Sequence, residues 1–269
     1  MRDLHRPGRW LFLSILLTTG AILQSATPGL ANELGTIVPA YFYPGTGGAG
    51  GVGDGWAELT AAAFEIPVTA VLNPDSGPLP GPPDPNYVTA MSNLESAGGH
   101  VVAYVYTDYA STPIAVVEGE VDTYVSQYGS LINGFYLDGM ANNWSSLSYY
   151  EALYSYIKGL NSSYTVIGNP GTLVPAGYLS AANILNVFEG DNEAFKALRA
   201  TPSSRYSYTV YDATTEADML DDIQKAGHLN AGDIFVTDQP LNPATGYLYD
   251  QLPSYWDQEV AAIKLRKMR

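Results

Sequence analysis

The 269-residue chain has no cysteine, only three histidines, and only 12 lysines and arginines against 27 aspartates and glutamates. Without cysteine there are no disulfides, thiol nucleophiles or thiolate metal sites. His5 lies in the first residues, and His100 and His228 each fall where a helical pattern gives way to a strand. Ser-His-Asp catalysis and histidine-rich metal centres therefore have little to draw on, and no GxSxG turn is present. No metal and no cofactor is expected. The shortage of positive charge argues against nucleic acid and anionic membranes as partners and suits a neutral or cationic one.

Long apolar runs are also scarce. The one candidate is Trp10 to Leu23, preceded by Arg2, Arg6 and Arg9 and followed by small residues up to Gly29-Leu30-Ala31. A membrane-spanning helix needs roughly 20 apolar residues. The shorter run, with its basic start and small-residue end, reads as a secretory leader over residues 1–31, cut after Ala31. Residues 32–269, downstream of the cut, are expected to form one secreted domain, a monomer with no membrane contact after cleavage. Loss of three arginines and one aspartate with the leader takes the net charge from −15 to −17.

What the chain does have is a repeated unit: a short apolar run, a polar or glycine-rich tip, then a segment with helical spacing. The runs are 36–43, 68–72, 101–106, 134–137, 165–167, 184–188, 207–211 and 234–237. Helical spacing appears between and after them at 56–64, 87–97, 114–128, 147–160, 194–199, 215–226 and 255–267, with a short and weaker piece at 175–182. Eight strand-then-helix units with no linker predict an α/β fold, a single (β/α)8 TIM barrel, with an open doubly wound sheet as the alternative.

In a barrel the chemistry gathers at the C-terminal tips of the strands. Here the tips carry Tyr41 and Tyr43, Asn73, Asp108, Asp138, Asn169, Glu189, Asp212 and Asp238. Tyr106, at the end of the third run, joins them as a candidate substrate-binding residue. With cysteine and histidine chemistry excluded, glycoside hydrolysis stands out because it needs only one protonated and one ionised carboxyl group. The chain's 21 tyrosines fit such a groove, since their rings stack on sugars and their hydroxyls bond to them. The natural catalytic pair is Asp138, ending Gly134-Phe135-Tyr136-Leu137-Asp138, and Glu189. Strands two apart lie roughly 10 Å apart, so the two carboxyls can reach the range used by retaining or inverting enzymes. Asp191 and Glu193 lie beyond the tip and suit a helix start. Asp108 is the third acid, with a helix-capping role as its alternative.

Three other motifs carry less. Gly45-Thr46-Gly47-Gly48-Ala49-Gly50 matches a dinucleotide fingerprint, but the glycines run on through Gly55, as in a mobile loop able to close over sugar. Asn73-Pro74-Asp75-Ser76-Gly77-Pro78 forms a rigid turn that can wall a groove. Asn143-Trp144-Ser145 and Asn161-Ser162-Ser163 match the glycosylation sequon, which matters in a eukaryotic secretory pathway.

The chain resembles the spherulin-4-like proteins, which include fungal glycoside hydrolases of family 135 that cut galactosaminogalactan. The resemblance rests on Val38-Pro39-Ala40-Tyr41-Phe42-Tyr43-Pro44, Asn73-Pro74-Asp75-Ser76-Gly77-Pro78, Ala103-Tyr104-Val105-Tyr106-Thr107, Gly134-Phe135-Tyr136-Leu137-Asp138, Asn169-Pro170-Gly171 and Phe188-Glu189. It implies a barrel, an endo-acting secreted glycosidase for a polysaccharide containing galactosamine or N-acetylgalactosamine, and acidic residues at Asp138 and Glu189. It also shows a departure. The family enzymes carry Asp-Glu where this chain has Asp138-Gly139, so a binding or wall-associated barrel without catalysis is the alternative.

Overall fold

The structure is a computed structural model and describes residues 33–241 and 248–267. The expected leader, residues 1–31, lies outside the described residues. Eight strands run in chain order: β1 Thr36–Ala40, β2 Val68–Leu72, β3 His100–Tyr106, β4 Gly134–Asp138, β5 Thr165–Gly168, β6 Ile184–Asp191, β7 Tyr206–Tyr211 and β8 Asp233–Val236. Each pairs in parallel with the next, in the order β1 to β8. The circle closes where Gly35 donates to the Gly232 carbonyl (2.8 Å) and accepts from the Ile234 N–H (3.0 Å). The fold is the expected (β/α)8 barrel, not an open sheet.

Seven α-helices among the described residues cover the outside: α1 Gly55–Ala63, α2 Pro85–Ser96, α3 Ile114–Tyr128, α4 Leu147–Leu160, α5 Asn192–Ala197, α6 Glu216–His228 and α7 Trp256–Lys267. Their starts are set by local chemistry. Asp54, Asp84, Asp191 and Thr215 each accept a backbone N–H of the first turn, and Pro85 opens α2 with its fixed φ. Asp191 thus serves as a cap. The weak segment after β5 forms only a 3-10 turn, Ala176–Ser180. There Trp144 packs against Gly177 so closely that a Cβ would stand 2.6 Å from its ring, and Tyr178 donates to the Asn143 carbonyl.

The strands are buried on both faces, as their nearly continuous apolar sequences require. A small inner cluster, Ile37, Val71, Val102, Tyr104, Tyr136 and Ile167, fills the barrel. A larger cluster that includes Trp56, Leu94, Tyr124, Leu153, Phe195 and Trp256 lies between strands and helices. Two strands differ from their sequence reading by more than a single residue at an end. β1 ends at Ala40 because the chain turns there, the Tyr41 N–H bonding to the Pro39 carbonyl at 3.0 Å. β6 runs three residues further than expected and carries a bulge between Asn186 and Glu189.

The glycine-rich loop, expected from its composition to be a mobile lid, is tied by backbone hydrogen bonds in this structure. Gly48 donates to the Gly53 carbonyl, Gly55 to Thr46, and Gly50 and Leu252 each bond across to the other's loop. The dinucleotide reading fails on geometry. The N-terminus of α1, where a pyrophosphate would sit, is taken by Asp54, whose carboxylate accepts from the N–H groups of Trp56 and Ala57.

Candidate active site

The bulge in β6 decides the site. Along an ideal strand, side chains alternate, so Asn186 and Phe188 would face the barrel and Glu189 the helices. One extra residue on β6 between the pairs Asn186↔Ser207 and Glu189↔Thr209 reverses this. Phe188 turns outward onto Phe195 of α5, with ring centroids 5.1 Å apart, and Glu189 turns in. A backbone bond from the Glu189 N–H to the Gly171 carbonyl (3.0 Å) fixes the turn against the end of β5.

Glu189 then meets Asp138 across one amide. Nδ2 of Asn169 donates to Oδ1 of Asp138 at 2.7 Å and to Oε2 of Glu189 at 2.8 Å. The orientation of that amide is set from behind, because its Oδ1 accepts the Gly171 N–H at 3.1 Å. Because both are held by one nitrogen, at 2.7 and 2.8 Å, the two carboxyl oxygens lie within about 5.5 Å of each other.

The remaining oxygens are held by tyrosines. Tyr104, inside β3, donates to Oδ2 of Asp138 at 2.8 Å, and Tyr249, in the loop after β8, donates to Oε1 of Glu189 at 2.8 Å. Tyr41 lies edge-on to both rings, 5.8 Å from each. Burial, reinforced by Asp138 and Glu189 for Tyr41 and Tyr104 and by Glu189 for Tyr249, pushes these three phenols well above the usual tyrosine range, so they remain donors at working pH. Burial also raises the Glu189 carboxyl, with the Asp138 charge adding to it, while the bonds from Asn169 and Tyr249 pull the other way.

These residues line a cleft of about 570 Å³ at the C-terminal end of the barrel, within the range of small-molecule sites. Of the sequence candidates, Tyr41, Asn73, Tyr106, Asp138, Asn169 and Glu189 form part of its wall. No lysine or arginine lines it among the described residues. Four candidates stand elsewhere. Tyr43 bonds to Asp84 and Asn86 at the start of α2, and Asp238 accepts from Ser254 before α7. Asp212 is exposed beyond β7, and Asp108 is bonded to the Tyr106 hydroxyl at 3.5 Å on the rim, without capping a helix. Tyr104 and Tyr249 were not among the sequence candidates. Alternation in β3 places Tyr104 on the same face as Tyr106, a signal that could have found it. Nothing local in the sequence marks Tyr249.

A parallel eight-stranded barrel with a carboxylate pair at the strand tips has the architecture used by many glycoside-hydrolase barrels. The chain belongs to spherulation-specific family 4, whose sequence model matches residues 35–263. It is 31% identical to Spherulin-4 of Physarum polycephalum over 270 residues, covering 94% of this chain and 78% of that protein. Its structure is similar to that of Aspergillus clavatus Sph3 in complex with GalNAc, with a TM-score of 0.71, 24% identity and coverage of 87% of this chain and 99% of the other. It is more distantly similar to the chitinase RmChi1 of Rhizomucor miehei, with a TM-score of 0.53, 11% identity and coverage of 86% and 99%. These structural likenesses establish the shared barrel. No helix among the described residues is long and apolar enough to cross a membrane.

Proposed function

We propose that the protein is a secreted, monomeric, endo-acting glycoside hydrolase that cleaves a polysaccharide containing galactosamine or N-acetylgalactosamine. The observation that carries this reading is the pair of carboxyls joined by one Asn169 amide within a tyrosine-walled cleft. Family membership and the GalNAc bound by the structurally similar Sph3 support the sugar class. A cleft wall without cationic side chains among the described residues favours a neutral or amine-bearing sugar over an acidic one.

In this mechanism Glu189, whose carboxyl burial keeps closer to neutrality, gives its proton to the glycosidic oxygen as the bond to the anomeric carbon breaks. Asp138, oriented by Tyr104 and Asn169, attacks that carbon from the other side. Glu189, now a carboxylate, takes a proton from the water that releases the sugar. Two carboxyl oxygens within about 5.5 Å of each other favour the close spacing of enzymes that retain anomeric configuration over the wider spacing of inverting ones. The scheme uses no cofactor and no metal.

The alternative is a carbohydrate-binding barrel without catalysis, and the specific observation in its favour is Gly139 at the position beside Asp138. Incubation with a partly deacetylated galactosamine polymer, followed by assay of new reducing ends and by centrifugal binding to the insoluble polymer, separates the two. Release of oligosaccharides supports the hydrolase. Binding without release supports the alternative.

A further inference from the structure

We infer that Oε1 of Glu189 carries the transferable proton and that Tyr249 is the positioning residue that alternates with it as hydrogen-bond donor and acceptor. The inference rests on the reading of Glu189 as the acid and assigns that role to one atom.

Asn169 holds one side of the Glu189 carboxyl. Its Oδ1 accepts the Gly171 N–H, so Nδ2 faces the carboxyls and its two hydrogens go to Asp138 and Glu189. An amide NH2 donates and has no lone pair to accept with. Oε2 of Glu189 is therefore held as an acceptor in either protonation state, and a proton placed there would oppose the amide hydrogen. Oε1 faces a different kind of partner. The Tyr249 hydroxyl, 2.8 Å away, donates to a carboxylate and, by rotating about its C–O bond, accepts from a carboxylic acid.

Tyr249 is placed to do this with little movement. Its ring is buried and packs edge-on against Tyr41 at 5.8 Å and against Phe235 at 6.2 Å. The other titratable groups coupled to Glu189 are Asp138 of β4, whose charge raises it, and Tyr136 of β4, Tyr41 beside β1, Tyr104 of β3 and Tyr211 of β7, whose phenols the Glu189 charge raises. All are acids, and among those named only the Tyr249 hydroxyl bonds to Oε1.

Each proton has a place through the cycle. In the acid form Oε1–H points to the Tyr249 oxygen or to the glycosidic oxygen. On bond cleavage the proton leaves with the departing sugar hydroxyl, and the Tyr249 O–H turns to donate to the new carboxylate. When water attacks, its proton returns to Oε1 and Tyr249 turns back. The tyrosine gains and loses no proton of its own, in keeping with a phenol that burial holds neutral.

The test is Tyr249→Phe, which keeps the ring and its packing. Carboxyl-13C glutamate is incorporated, the Glu189 signal is identified by its loss in Glu189→Gln, and its titration is followed by NMR in both proteins. Loss of a bond to the charged form is expected to raise the Glu189 midpoint by about one pH unit. On glycan, the alkaline limb of the rate profile moves up by the same amount, kcat falls about tenfold and KM stays within about twofold. A midpoint and a limb that coincide with the parent's overturn the inference, because a packing role for the ring moves neither. If the parent cleaves nothing, the hydrolase reading fails separately, and the titration still decides whether Tyr249 governs Glu189.

Discussion

The ring of Tyr106 lies over Gly139, and a Cβ built on that glycine would stand 2.6 Å from Cε2 of the tyrosine. Gly139 also holds φ at +59°, a conformation that residues with a side chain enter only at a cost. The position therefore accepts no side chain as the cleft stands. Gly139→Ala is expected to cost about 1–2 kcal/mol, lowering Tm by a few degrees. Gly139→Glu, the change that would supply the carboxylate implied by the family resemblance, is expected to disrupt the cleft and not to raise activity. Calorimetry and a reducing-end assay check both, and a thermally neutral Gly139→Glu would refute the steric account.

The carboxylates separate enzyme from binder. Asp138→Asn and Glu189→Gln keep shape and most hydrogen bonds but remove ionisation or proton cycling. Each is expected to lower the rate by several orders of magnitude while folding and glycan binding persist. In the parent, NMR of the first product formed should show the anomeric configuration of the substrate. Inversion would contradict the close carboxyl spacing from which retention is inferred.

Charge gives a prediction about binding. With a net charge of −15 and no cation on the described cleft wall, a partly deacetylated polymer should bind less tightly as salt is added, since exposed charges are screened over about 10 Å at 0.1 M. Fully N-acetylated polymer should show little salt dependence. Equal salt dependence for both would assign the attraction to stacking and hydrogen bonds.

Buried acids away from the cleft predict higher stability in acid. Asp222, bonded to Asn192 between α5 and α6, and Asp233, beside the barrel seam, are both pushed up to about 7 by burial, and burial also raises the carboxyl of Glu259 behind β8. Their folded forms hold protons that the unfolded chain releases near pH 4. The stability they contribute is thus complete below about pH 4, falls as pH rises, and is lost above about 7 for the aspartates. For Asp222 the gap corresponds to roughly 4 kcal/mol as an upper figure. Thermal unfolding should show a higher Tm at pH 5 than at pH 8, and Asp222→Asn should flatten the slope.

The sequence alone determined the barrel, because periodicity and apolar runs are local properties and eight of them recur with no interruption. It also determined Asp138, since a buried strand ending in Asp-Gly presents a carboxylate whatever surrounds it. Glu189 was legible as an acid near a tip, but its inward direction depends on the bulge in β6, which reverses the alternation that sequence reading assumes. Tyr43 and Asp238 read as tip residues equally well, yet each found a partner on a neighbouring loop and turned from the cleft. Tyr249 belongs to the site only through a contact 60 residues away in the chain. Such long-range meetings are fixed by how the loops pack on the closed barrel, and no local pattern records them.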